Sequence, residues 1–234
     1  MRARAVLFSL FSLSAIAASA APSAIAQEDA CPEAGFSPQL VTPAAGYLPQ
    51  GGALVVGLFP GGSGESALPD GLALTRGRRS VALRAEAIAP GLFRLVPETA
   101  RLSGSWALAG IAGAPQLVFR RAPLPAPPTA PALERAERYL VASDGERRLE
   151  VRAHFGFPIP EDVVAVVSYW GDDEEPDAFA RAAPTQRSLV LFATGPGCHP
   201  EGTRPPPATG GRVRVAFVDR HGQTSALSEA RPIE

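Results

Sequence analysis

Lysine and asparagine are missing from the 234 residues, so all 22 basic side chains are arginine. Without lysine there is no nucleotide hydrolysis of the P-loop kind, whose GxxxxGK[ST] sequence needs that side chain, and Gly62-Ser63-Gly64 is no phosphate loop. Methionine occurs once, as Met1, and three histidines are scattered, which excludes a copper carrier built on Met and His clusters. Two cysteines are too few for a disulfide-dense mini-protein. Neither sign of charge dominates. The 22 basic and 23 acidic residues give a formal net charge of −1, which excludes a nucleic-acid binder resting on bulk positive charge and an acidic disordered tail. Aromatic residues, at 7%, leave little for a sugar-stacking platform.

What is abundant is turn chemistry. With Gly 23 and Pro 25, the chain is punctuated too often for a helical protein. The one long apolar stretch is at the start. Arg2 and Arg4 precede Val6 to Ala18, and small residues follow at Ala18-Ser19-Ala20 and Ala24-Ile25-Ala26. This is the pattern of a secretory signal peptide over 1–26, cleaved after Ala26, with Ala20 as second choice. No later stretch is long enough to span a bilayer, so the expected mature chain has no transmembrane segment and is exported to the periplasm, cell surface or medium. Glu28-Asp29-Ala30 before Cys31 does not suit a lipoprotein signal. In an oxidising compartment, Cys31 and Cys198 are expected to form a disulfide; unpaired thiols and pairing with another chain are the alternatives. Zinc ligation through Cys198-His199 lacks further ligands.

Arg121 to Pro131 reads RAPLPAPPTAP, five prolines in eleven residues, a semi-rigid extended spacer. It separates residues 27–120 from 132–234, and each half reads as a set of short strands. In the first, Ala53 to Phe59 lies between turn clusters, and Val81 to Ala87 alternates with Val81, Leu83, Ala85 and Ala87 expected on the buried face. Leu92 to Val96, Ser105 to Ala109 and Gln116 to Arg120 follow, with Trp106 and Phe119 as core residues. In the second, Leu149 to Phe155 alternates, placing His154 with Glu150 and Arg152 on the polar face. Val163 to Trp170 is a continuous β-branched run suited to burial on both faces or to the centre of a sandwich. Ser188 to Ala193 and Arg212 to Val218 add two strands, the latter with Val213, Val215 and Phe217 inward. Ala132 to Leu140 fits an opening strand better than a helix, although LERAERYL has helical propensity. The expected fold class is all-β: two small antiparallel sandwiches joined by the proline-rich segment.

The C-terminal run from Val213 to Ser228 contains Asp219-Arg220-His221-Gly222-Gln223-Thr224-Ser225. It resembles the closing hairpin of bacterial fibronectin type III-like and Ig-like domains of exported proteins, with Gln223 where asparagine is usual. Thr42 to Pro49 and the strand from Ala53 look like the opening of such modules. The resemblance implies a sandwich with a spacer or interaction role and carries over no catalytic or binding residue.

Four places in the sequence could carry chemistry. Gly61-Gly62-Ser63-Gly64-Glu65 lacks the closing glycine of a nucleophile elbow and reads as a loop. Asp219 and His221 at a hairpin tip are expected to stabilise the turn rather than act as acid and base. The acidic run Asp172-Asp173-Glu174-Glu175-Pro176-Asp177 is the best calcium candidate, but it lacks EF-hand spacing and reads as a solvated loop. Thr75-Arg76-Gly77-Arg78-Arg79 is a solvated turn or a contact for phosphates or carboxylates of an envelope glycan. The expectation is therefore no enzyme, no cofactor, no metal and no nucleic-acid partner. The chain reads as an exported structural or protein-interaction module of the bacterial envelope whose partner is an envelope protein or glycan; a carbohydrate-binding or adhesion module is the alternative.

Overall fold

In a computed structural model, residues 35–42, 47–62, 67–99, 101–143, 146–194 and 199–234 are described, and among them every regular element is a strand. The first half holds β1 (Gly35–Leu40), β2 (Tyr47–Pro49), β3 (Leu54–Gly62), β4 (Ala73–Arg76), β5 (Arg79–Ala89), β6 (Leu92–Pro97), β7 (Gly104–Ala109) and β8 (Leu117–Arg120). The second holds β9 (Leu133–Ser143), β10 (Glu146–Phe155), β11 (Val163–Trp170), β12 (Ala178–Arg181), β13 (Ser188–Ala193), β14 (Arg212–Asp219) and β15 (Arg231–Pro232). Residues 1–26, expected to be a signal peptide, together with Cys31, Cys198 and Ser63, lie outside the described residues. Ala132 to Leu140 contributes to strand β9, as its position after the prolines suggested.

The first eight strands run β1-β3-β6-β5-β4-β7-β8-β2 in one continuous sheet. Strand β5 turns the corner: residues 79–82 pair with β4, and 83–89 pair with β6. The sheet thus folds around Leu54, Val56, Leu74, Leu95, Leu108, Phe119 and Trp106, the last two as expected. Pairing is antiparallel except at β2, which lies parallel to β8, so the expectation of an antiparallel sheet fails there. The expected inward face of β5 also fails beyond Leu83. Ala85 and Ala87 are exposed, and Glu86 is half-buried because it pairs across to Arg94 on the face directed at the second half.

In the second half a three-stranded sheet, β13-β10-β9, faces a four-stranded sheet, β12-β11-β14-β15. Between them pack Val151, Phe155, Val166, Trp170, Phe192, Val213, Val215 and Phe217. Ile233 bridges to Ala136, and the Arg138 N–H donates to the Glu234 carbonyl, so the C-terminal residues tie the two sheets together at one edge. Apolar side chains of β11 and β14 alternate between this core and a second one: Val164, Ala165, Val167 and Val218 meet Val41, Val55, Ala89 and Leu92 of the first half. A continuous β-branched run is the natural sequence for a strand covered on both faces.

Gly57 belongs to this contact. A Cβ there would lie 2.7 Å from Phe59 Cε2 and 3.2 Å from Phe179 Cζ, where those rings meet edge to face at 5.7 Å between centroids. The bare backbone lets an aromatic pair fill the space between the halves. Arg181 lies over the Phe59 ring at 5.6 Å, closing the rim.

Candidate interaction site

The turn after β14 joins the halves most directly. Asp219 Oδ1 accepts the His221 N–H at 2.9 Å and the Gln223 N–H at 2.8 Å, while Oδ2 accepts the Gln223 side-chain amide at 3.0 Å. The carboxylate therefore engages backbone and amide donors rather than the His221 ring, and the pair stabilises the turn, as read from the sequence. Burial pushes the His221 imidazole below its ordinary pKa against the pull of Asp219. Held this way, the turn offers its carbonyls to the first half. The Ala53 N–H donates to the His221 carbonyl at 3.0 Å, and the Thr42 hydroxyl donates to the Arg220 carbonyl at 3.4 Å. At Gly222, with φ +77°, an added Cβ would come 3.3 Å from Ala53 Cβ and 3.2 Å from Arg94 Cβ. Gln223 also donates to the Pro125 carbonyl at 3.0 Å, attaching the proline-rich segment to the same turn.

The acidic run is only partly solvated, which corrects the sequence reading. Asp172, Asp173, Glu174 and Glu175 are exposed, but Asp177 is 2% exposed. Its Oδ2 accepts the Trp170 N–H at 2.6 Å, and its Oδ1 meets Arg204 Nε at 2.5 Å. Burial pushes the Asp177 carboxyl up, and those two donors act against the rise. Arg204 also reaches Asp173, and Arg214 donates to the Asp173 carbonyl. The loop's charge is thus met by guanidinium groups from chain-distant positions. Among the described residues no cluster of three or more His, Cys, Asp or Glu side chains has metal-site geometry.

A polar ladder covers the outer face of the three-stranded sheet. Register places Arg152 opposite Glu137, His154 opposite Arg135 and Glu150 opposite Tyr139. Glu137 is the hub: Arg135 reaches it at 3.0 Å, His154 Nε2 lies 2.9 Å away, and the Tyr139 hydroxyl donates to it. That hydroxyl, then Arg135 and His154, hold the Glu137 carboxyl below the usual range, and the same bond raises the Tyr139 phenol. Arg152 lies over the Tyr139 ring at 5.5 Å and pairs with Glu150 at 3.3 Å. Sequence alternation placed His154 among these charges; Glu137 and Tyr139 were missed because the strand carrying them was ambiguous with a helix.

His199 stacks on Phe192 at 4.5 Å, and its Nε2 meets the Ala193 carbonyl at 2.9 Å. That ring is committed to packing, and burial lowers its pKa. At the arginine-rich turn, strand structure extends further than expected: only Gly77 and Arg78 remain between β4 and β5.

No family model matches the chain, and no curated protein matches it. Among solved structures the chain is similar to the fibronectin(III)-like modules of Clostridium thermocellum CbhA, at 14% identity over 84% of this chain and 92% of that chain, with a TM-score of 0.24.

Proposed function

We propose that this protein is an exported, non-catalytic structural or protein-interaction module of the bacterial envelope, made of two sandwiches held as one rigid body. The strand orders support the division. In the first half, β1-β3-β6-β5 and β4-β7-β8 follow the ABED and CFG sheets of an immunoglobulin-like domain. The second half is a seven-stranded, fibronectin III-like sandwich over 132–234, with 121–131 as linker. The observation that carries the reading is the double burial of β11: Val166 in one core and Val167 in the other are both 0% exposed. A sheet that serves two cores fixes the distance and angle between the sandwiches, which is what a spacer or presenting scaffold requires. Residues 1–26 act as the export signal, and Cys31 pairs with Cys198, a long closure contributing about 4–5 kcal/mol less any strain. Fractionation with N-terminal sequencing tests export: extracytoplasmic protein beginning at Gln27 is expected, and membrane-bound material retaining Met1 would refute it.

Tyr47, 48% exposed beneath Arg120, and Tyr139, 38% exposed beneath Arg152, favour a carbohydrate-binding or adhesion role as second reading.

A further inference from the structure

The β4–β5 hairpin sets two arginines directly against each other across a strand ladder. Arg84, Arg94, Arg135, Arg152, Arg204 and Arg231 each sit in an ion pair, and Arg138, Arg212 and Arg214 donate to backbone carbonyls. At the hairpin, register sets Arg76 directly opposite Arg79, with Arg78 in the turn between them, and all three are exposed. Among the described residues no carboxylate lies within ion-pair distance of any of them. Like charges directly opposite across a ladder destabilise it, so the arrangement runs against folding. The Leu74–Val81 pair next along the same face meets the first core, so the arginine pair stands at the end of that core. Arg76 Nη1 donates to the Ser103 carbonyl at 2.9 Å, which steadies one guanidinium and leaves its remaining donors free.

We propose that this hairpin binds an acidic polysaccharide, with Arg76, Arg78 and Arg79 donating to its carboxylate, sulfate or phosphate oxygens. The donors at the tip are its guanidinium groups, since the Thr75 hydroxyl on the opposite face already donates to the Ala107 carbonyl. A surface so rich in donors selects an acceptor-rich ligand, and planar guanidinium forks suit oxyanions. The tip has no aromatic side chain on which a nucleic-acid base stacks and no large apolar one to enter a bilayer. The partner class rests on the exported-module reading, whose own test, fractionation with N-terminal sequencing, does not depend on glycan binding.

The test uses the purified chain with dextran sulfate and polygalacturonate, neutral dextran as control, and phosphatidylglycerol vesicles and oligo-dT as rival classes. Both acidic polysaccharides are expected to bind, more weakly as salt rises. Arg76→Gln and Arg79→Gln should each lower the salt slope by about one, and the double variant should lose about tenfold or more in affinity. Arg231→Gln, at an arginine already paired, should bind as the parent does. Because the like-charge pair is relieved, Arg79→Gln should melt no lower than the parent, so weakened binding cannot be put down to unfolding. The proposal is overturned if the parent does not bind, if vesicles or DNA bind more tightly than either polysaccharide, if the hairpin variants bind like the parent, or if their loss tracks a lowered melting temperature.

Discussion

Val167→Asp separates a sheet that serves two cores from one whose far face meets water. Val167 is 0% exposed and packs with Val55, Ala165 and Leu92 in the cluster between the halves. Were the second sandwich independent, that face would be surface and the change would cost no more than about 0.5 kcal/mol. In this structure it places a carboxylate without a counter-ion among apolar side chains, a cost of roughly 3–5 kcal/mol against a total stability of about 5–15. For a chain of this size that converts to a fall of roughly 6–20 °C in melting temperature, or to a split into two transitions as the halves part. Val166→Asp, directed into the other core, serves as the positive control and should be at least as damaging. Thermal melts followed by circular dichroism give the comparison. If Val167→Asp keeps one transition within about 2 °C of the parent while Val166→Asp collapses, the contact between the halves does not hold and the reasoning is refuted.

Asp219→Ala should cost about 2–3 kcal/mol by stripping acceptors from the 219–223 turn, and Asp219→Asn, which keeps one oxygen, should cost less; denaturant titrations of both check this. Reversing the charge of Asp172 or Glu174, both exposed, should change stability by no more than about 0.5 kcal/mol, whereas Asp177→Ala strands the buried Trp170 N–H and should cost more than about 1 kcal/mol in the same titrations. Because burial raises the Asp177 pKa above its ordinary carboxylate value, its contribution is full below that value and is lost as pH rises through the folded one. Because burial lowers that of His199 below 6.5, its contribution is full above that pH and is lost as pH falls through the folded value. Melting temperature against pH should lose the first slope in Asp177→Asn and the second in His199→Phe. Non-reducing peptide maps of monomer should show Cys31 linked to Cys198, and two alkylatable thiols would refute that pairing.

Much of this was legible in the residues, and the failures have physical causes. Val163 to Trp170 and Ser188 to Ala193 became β11 and β13 because turn residues bracket unbroken apolar or β-branched runs. Strand β12, four residues after an acidic loop, carries too short a pattern to be seen. Ala85 and Ala87 followed the alternation of Val81 and Leu83, but a strand passing from one sheet layer to the other changes what lies beneath it, and sequence period does not record that. Asp177 looked like its acidic neighbours; only the approach of Arg204, distant in the chain, distinguishes it. The β-branched run suited burial on both faces or the centre of a sandwich, and the structure decides for both faces because Val41, Val55 and Leu92 meet β11 across the proline-rich segment.

Whether the halves unfold as one unit is read by differential scanning calorimetry of the purified chain, comparing calorimetric with van't Hoff enthalpy. Two halves sharing the Val55–Val167 cluster should unfold in one transition whose two enthalpies agree. Two separate transitions in the parent protein, or one whose calorimetric enthalpy is about twice the van't Hoff value, would mean that the halves fold alone and would contradict the proposed rigid module.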